Sequence, residues 1–310
     1  MKKKLLPAIL LVASLAFALV GCSNPTGATK PVDDGKAQFK SEIKFYGSTT
    51  LAPVLSQLSQ LSQLSTNFNE HYGTWDKVDS QFEKKDIAIY VSGAGSSAGV
   101  KSVIDGVSDF GMASRKVSAD EKAKIEGYQE FKLGMDALTI SVNPNNNLTK
   151  LKDSLTSDEI KKIFSGEFKT WHDVDPSLPA TDIVVVTRDI GGGAHEVFQK
   201  AIMGDSQIRA DVIQAPSMGA LVTKIMENEN AIGYASYGMV NQNKGKLAPF
   251  KVDGIEPSAE NILSGTYKIS RPLIILKKGT LLPQEKAFMD YVVSNEGIDV
   301  IEKLGFVPNK

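Results

Sequence analysis

Ile87-Ala88-Ile89-Tyr90-Val91 followed by Gly93-Ala94-Gly95-Ser96-Ser97-Ala98-Gly99 is the stretch that decides how this chain folds. The β-branched run reads as a buried strand, and behind the glycines Val100, Val103, Ile104 and Val107 recur at helical spacing. A strand, a Gly/Ser turn and a helix N-terminus present unpaired backbone N–H groups and hydroxyls at one point. Such a cradle suits an oxyanion. The same turn also has a purely structural reading, and the choice between the two rests on whether other parts of the chain repeat the pattern.

The 310 residues are enough for two domains with separate cores. The 35 basic and 36 acidic residues leave a net charge of −1, so no global field attracts nucleic acid and any anion must be held locally. Lys2-Lys3-Lys4 and the apolar run from Leu5 to Val20 predict an export signal over residues 1–21. It ends at Leu19-Val20-Gly21-Cys22, which resembles a lipobox in which Cys22 is acylated and becomes the mature N-terminus on the extracytoplasmic face of the membrane. Two acyl chains there would make attachment stable. Cys22 is the only cysteine, which excludes an intrachain disulfide. Residues 22–40, rich in Asn, Pro, Thr, Gly, Lys and Asp, predict a flexible tether.

The strand, turn and helix unit recurs. Ile43-Lys44-Phe45-Tyr46 is expected as a strand, and Gly47-Ser48-Thr49-Thr50 as a polar turn opening a helix that tolerates Pro53 in its first turn. That helix continues through a three-residue leucine repeat from Leu55 to Leu64, whose period does not fit a coiled coil. The stretch with His71, Trp75 and Phe82 reads as an inserted loop with a small aromatic cluster of its own. Asp109-Phe110-Gly111-Met112-Ala113-Ser114-Arg115 is a short strand that delivers Ser114 to the carboxyl end of a sheet, where ligands sit in open α/β folds. The plain structural alternative is a solvated strand end with Arg115 as a surface charge.

A second set of elements follows. Ala137–Val142 is a strand, and Thr156-Ser157-Asp158-Glu159 has capping-box spacing before a helix that Gly166 stops. Trp171 reads as core. Asp182–Thr187 is a strand delivering Arg188 and then Gly191-Gly192-Gly193 ahead of a helix from Val197 to Met203. The guanidinium is a fixed charge whose planar fork matches the edge of an oxyanion. Glycines let backbone N–H groups approach it. Pairing of Arg188 with Asp189 is the plain structural alternative. Crossings near Gly134–Val142 and Ile269–Leu276 predict two α/β lobes joined by a hinge with a cleft between them: 41–135 plus 271–310 as lobe I, and 136–270 as lobe II.

Gly47-Ser48-Thr49-Thr50, Gly95-Ser96-Ser97-Ala98-Gly99, Asp109–Ser114, Ala231-Ile232-Gly233-Tyr234, Ser270-Arg271-Pro272-Leu273 and Gly305-Phe306-Val307-Pro308 occur in this order. Together they resemble the substrate-binding lipoproteins of bacterial phosphate ABC transporters. The resemblance implies the type II periplasmic-binding-protein fold and inorganic phosphate buried between the lobes. Its partners would be a membrane-embedded permease with its ATPase. Carried over by position, it implies Thr49 and Thr50, Ser96, Ser114, Arg188, and the N–H groups of Gly192 and Gly193 as phosphate ligands. It implies a monomer with no cofactor and no metal. Where many members have Gly-Ser-Gly-Thr this chain has Gly191-Gly192-Gly193-Ala194, and His195 follows as a possible further donor. Some members have Asp where Ser114 stands, and a carboxylate accepts the proton of phosphate while repelling sulfate.

Other readings are a binder of another tetrahedral oxyanion, a surface phosphate-sensing or adhesion protein, and a secreted phosphatase. His71, His172 and His195 are too scattered to form a metal site by spacing, and no serine sits beside a base and an orienting acid in the sequence.

Overall fold

A computed structural model describes residues 39–59 and 67–309. The export signal, Cys22, nearly all of the tether and the end of the leucine repeat lie outside the described residues. The strands are β1 (Glu42–Gly47), β2 (Ala88–Gly93), β3 (Phe110–Ala113), β4 (Gln129–Val142), β5 (Ser154–Leu155), β6 (Val184–Arg188), β7 (Ile213–Ala215), β8 (Ala231–Ser236), β9 (Ala248–Val252), β10 (Ser270–Lys277) and β11 (Val307–Pro308). The path through the sheet runs β2-β1-β3-β10-β4-β8-β6-β7.

β4 organises this path. Its first half pairs antiparallel with β10, and its second half pairs antiparallel with β8 and β9. Over residues 129–132 every second residue is more exposed, whereas residues 137–142 are buried throughout, so one strand passes from a one-faced sheet into a two-faced core. On one side β1 pairs parallel with both β2 and β3. On the other, β6 pairs parallel with β7 and β8. Among the described residues, three apolar clusters follow the same division. Ile43, Phe45, Phe110, Leu273 and Phe288 belong to one, and Leu138, Phe164, Val186, Phe198 and Tyr234 to another across the division. A smaller one of Val100, Val103, Ile274 and Leu276 lies on the β1–β3 side with the first. This is the mixed α/β, two-lobed type II periplasmic-binding-protein architecture.

Several expectations are corrected. β2 lies at the sheet edge rather than inside it, with Tyr90 54% exposed. Val107 lies beyond the helix Ser96–Ile104 and is exposed. The stretch after residue 66 is no mere loop: helices Phe68–Tyr72 and Trp75–Val78 drive Phe68 and Trp75 into the main core of their lobe, where Phe68 meets Phe288 edge-on at 5.2 Å. The helix after β6 starts at Gly193, not Val197, so the glycines are its N-terminus. Apolar periodicity begins only at Val197, which is why pattern alone placed the start too late. The helix Ser157–Ser165 matches its cap: the Glu159 N–H donates to Thr156 Oγ1 at 3.2 Å, and Glu159 accepts from the Thr156 N–H. Gly166 closes it with φ 84.

Candidate functional site

The site grows from the end of β1. Gly47 has φ 136, and a Cβ there would lie 2.7 Å from Gly99 Cα. Glycine is therefore required where strand and helix touch. The Gly47 carbonyl accepts from Ala94 N–H and Gly95 N–H, while Ser48 N–H donates to Met112. These bonds bring the three loops after β1, β2 and β3 to one point.

Hydroxyls fill that point. Ser48 Oγ donates to Ser114 Oγ at 3.0 Å and accepts from the Thr50 and Leu51 N–H groups. Ser114 N–H donates to Ser96 Oγ at 3.1 Å. Ser48, Thr50, Ser96 and Ser114 are all buried.

Arg188 arrives from the opposite lobe at the end of β6. Its backbone N–H donates to the Tyr234 hydroxyl at 2.8 Å, and Nε donates to the Ala215 carbonyl. One terminal nitrogen donates to Asp189 and Pro216, and the other reaches across to Thr49 Oγ1 at 2.9 Å. Burial pushes the Tyr234 hydroxyl pKa up, so it remains a protonated, neutral partner. Arg188 thus makes both contacts considered for it, the pairing with Asp189 and the reach into the crevice.

Gly193 faces Ser96 so closely that an added Cβ would overlap the Ser96 hydroxyl. Ser97 N–H donates to the Gly191 carbonyl across the same junction. Thr49, Thr50, Ser96, Ser114, Arg188, Gly192 and Gly193 are therefore gathered where the two lobes meet. Two N–H groups have partners within their own turns: Thr50 donates to Ser48, and Gly192 donates to the Asp189 carbonyl at 2.9 Å. Gly193 and Ala194, at the first positions of the helix, have N–H groups without intrahelical acceptors. His195 Nδ1 is buried without a hydrogen-bond partner, and burial lowers the imidazole pKa against the opposing pull of the Arg188 backbone and the nearby Asp189.

Arg271, Asp136 and Ser48 went unassigned as site residues in the sequence. Arg271, on β10, is fully buried and bonds Asp136 of β4 through Nε and a terminal nitrogen at 3.0 and 2.7 Å. The same guanidinium donates to Thr50 Oγ1 and Ser114 Oγ. Ser48 links the first loop to Ser114. An aspartate placed among apolar strand residues at Met135-Asp136-Ala137 was the available signal for a buried charge awaiting a partner. Arg115, a surface charge in the plain structural alternative, is buried: Glu121 holds it by two bonds of 2.8 and 2.7 Å, and Glu196 of the other lobe lies 2.8 Å from Nε.

A fold of two α/β lobes closing on a cluster of buried donors defines a ligand-binding protein of the periplasmic type. The PBP superfamily domain model matches residues 33–296. The phosphate-binding protein PstS of Staphylococcus epidermidis is 33% identical over 308 residues, covering 96% of this chain and 86% of that protein. A phosphate ABC transporter substrate-binding protein from Clostridium perfringens, solved with bound phosphate, superposes with a TM-score of 0.71 at 28% identity, covering 87% of this chain and 100% of its own. A phosphate transport receptor from Vibrio cholerae gives a TM-score of 0.64 at 25% identity, over 86% of this chain and 100% of its own. The chain belongs to the PBP superfamily, among the phosphate-binding proteins of ABC transporters.

Proposed function

We propose that this protein captures inorganic phosphate between its lobes and delivers it to a membrane-embedded ABC permease driven by its ATPase. The observation that carries this reading is the convergence of Arg188 from one lobe with Thr49, Ser96 and Ser114 from the other. An oxyanion at that junction would draw on the Arg188 fork, the hydroxyls of Thr49, Ser96 and Ser114, and the N–H groups at the start of the Gly193–Phe198 helix. Thr50 and Gly192 would contribute by shaping their turns, since their N–H groups already have acceptors. The relatives are phosphate-binding proteins rather than enzymes, which supports capture without turnover.

Lobe I would comprise residues 41–135 plus 271–310 and lobe II residues 136–270; the apolar clusters divide close to these limits, with Met135 and Val307 packing into the lobe II core. The leader 1–21, acylation at Cys22 and the tether would hold a monomeric receptor on the extracytoplasmic face of the membrane. Uptake of labelled phosphate by cells lacking this protein tests the transport role. Uptake at low external phosphate is expected to fall and to return with the wild-type chain, but not with Arg188→Ala. Unchanged uptake in the deletion, in cells with no other phosphate importer, would remove the role.

A further inference from the structure

The loop after β3 carries Arg115, and the bonds of its guanidinium are divided unevenly between the lobes. One terminal nitrogen donates to Glu121 Oε2 at 2.8 Å and to the Lys116 carbonyl at 3.0 Å. The other donates to Glu121 Oε1 at 2.7 Å and to Ser97 Oγ at 3.3 Å. A guanidinium has five N–H groups, so four are committed within the first lobe and the Nε–H remains. Glu196 Oε2 of the other lobe lies 2.8 Å from Nε but off the N–H direction, so charge rather than an aligned hydrogen bond makes this fifth contact.

The stem of Arg115 meets the second lobe as well. A Cβ on Gly193 would lie 3.3 Å from Arg115 Cγ, beside its overlap with Ser96. Gly193 and Glu196 stand three residues apart in the helix Gly193–Phe198 and are neighbours on its surface. Arg115 therefore touches that helix twice, by its stem and by its charge.

Opening the contact strands no charge. Arg115 keeps Glu121, while Glu196, with a side chain 58% exposed, borders a cavity of about 370 Å³ that Lys116 and Lys200 also line. The pair of Arg271 with Asp136 differs: neither side chain has any exposure, so parting them would leave two bare charges in the interior. One pair is suited to making and breaking, the other to staying made.

We propose that Arg115 and Glu196 form a latch between the lobes, with Arg115 fixed by Glu121 and Glu196 as the part that lets go. This rests on the phosphate reading and adds to it: the latch holds the lobes together once phosphate is in place and so slows its release. Glu196 is a positioning residue, acting through the helix that carries it. Charge alone predicts the opposite sign. A carboxylate near an anion site repels the anion, so by electrostatics its removal tightens binding, whereas by the latch its removal loosens binding.

Calorimetry and stopped-flow measurement of inorganic phosphate binding to the purified wild-type protein, Glu196→Gln and Glu196→Lys test this. Glu196 is exposed on its helix and both replacements are good helix formers, so the three proteins are expected to melt alike. Glu196→Gln is expected to weaken phosphate by about fivefold, the upper end for a pair with one exposed partner, and Glu196→Lys by more. The loss is expected in the dissociation rate, with association no slower than in wild type. It is expected to shrink in about 1 M salt, where an exposed charge is screened within about 3 Å.

Equal or tighter phosphate binding by Glu196→Gln, or a loss carried by slower association, overturns the latch. A wild-type protein that binds no phosphate overturns the phosphate reading, and small-angle scattering of the phosphate-free proteins then decides the latch. The radius of gyration is expected to be larger in Glu196→Lys than in wild type, and equal radii overturn the proposal.

Discussion

Arg188 is aimed by acceptors on every side, and the direction left to it is across the junction towards Thr49. Its Nε and one terminal nitrogen are held by Ala215, Pro216 and Asp189, and the other terminal nitrogen reaches the first lobe. Lysine carries the same charge but lacks the planar fork, so it cannot hold these acceptors and an anion together. Arg188→Lys is expected to weaken phosphate by about a hundredfold, the loss of one or two charge-assisted bonds of about 1.5–3 kcal/mol each. Calorimetry reads the change, and an affinity within a few-fold of wild type would remove Arg188 from the site. Arg188 was legible in the sequence because a strand and three glycines bracket it. Arg271 and Asp136 were not, since their pairing joins two strands distant in the chain whose register no local pattern encodes. The burial of Arg115 was hidden for the same reason: it is created by Glu121 and by Glu196 of the other lobe.

The repeated unit of strand, turn and helix positions these side chains, and its tolerances are set by contact between turns. Gly193 starts one helix against Ser96, which starts another. Gly193→Ala keeps an ordinary backbone conformation but places a methyl group where the Ser96 hydroxyl lies. Phosphate affinity is expected to fall by at least about tenfold while the melting temperature hardly moves, because the clash lies between lobes rather than within a core. Retained affinity would show that the two turns need not meet for binding. The Arg115 clasp makes a prediction in pH. Its bonds, together with the Ser118 N–H, outweigh burial and hold the Glu121 carboxyl down to about 2 from an ordinary 4.5. A depressed carboxylate contributes its stability fully above the ordinary value and loses it as pH falls towards the folded value. Urea denaturation across that window should show a shallower acid loss for Glu121→Gln than for wild type, and identical slopes would contradict the clasp. At this scale the sequence carried the units themselves, from hydrophobic period and turn residues. It did not carry the first half of β4, where Gln129, Glu130 and Lys132 break the apolar run, nor the helix turns around Phe68 and Trp75, which long-range packing orders.

Among the described residues, two lobes, one holding two apolar clusters and the other a single large one, are joined through β4 and β10, with the donors placed where turns from both sides meet. Two lobes were legible because apolar runs cross twice between sets of α/β units. How the lobes meet was not, because it depends on contacts such as Arg188 with Thr49 and Arg115 with Glu196 that no local stretch contains. A small anion held at such a junction would bridge both halves, so that binding and closure would be one event. The account rests on phosphate being held there by Arg188 of one lobe together with hydroxyls of the other. Titration of inorganic phosphate into the purified wild-type protein and into Arg188→Ala, side by side in a calorimeter, tests this most directly. One phosphate per chain is expected for the wild type and no measurable binding for the variant, with both proteins melting cooperatively. A wild-type protein that binds no phosphate, or a variant that binds it equally well, would contradict the account.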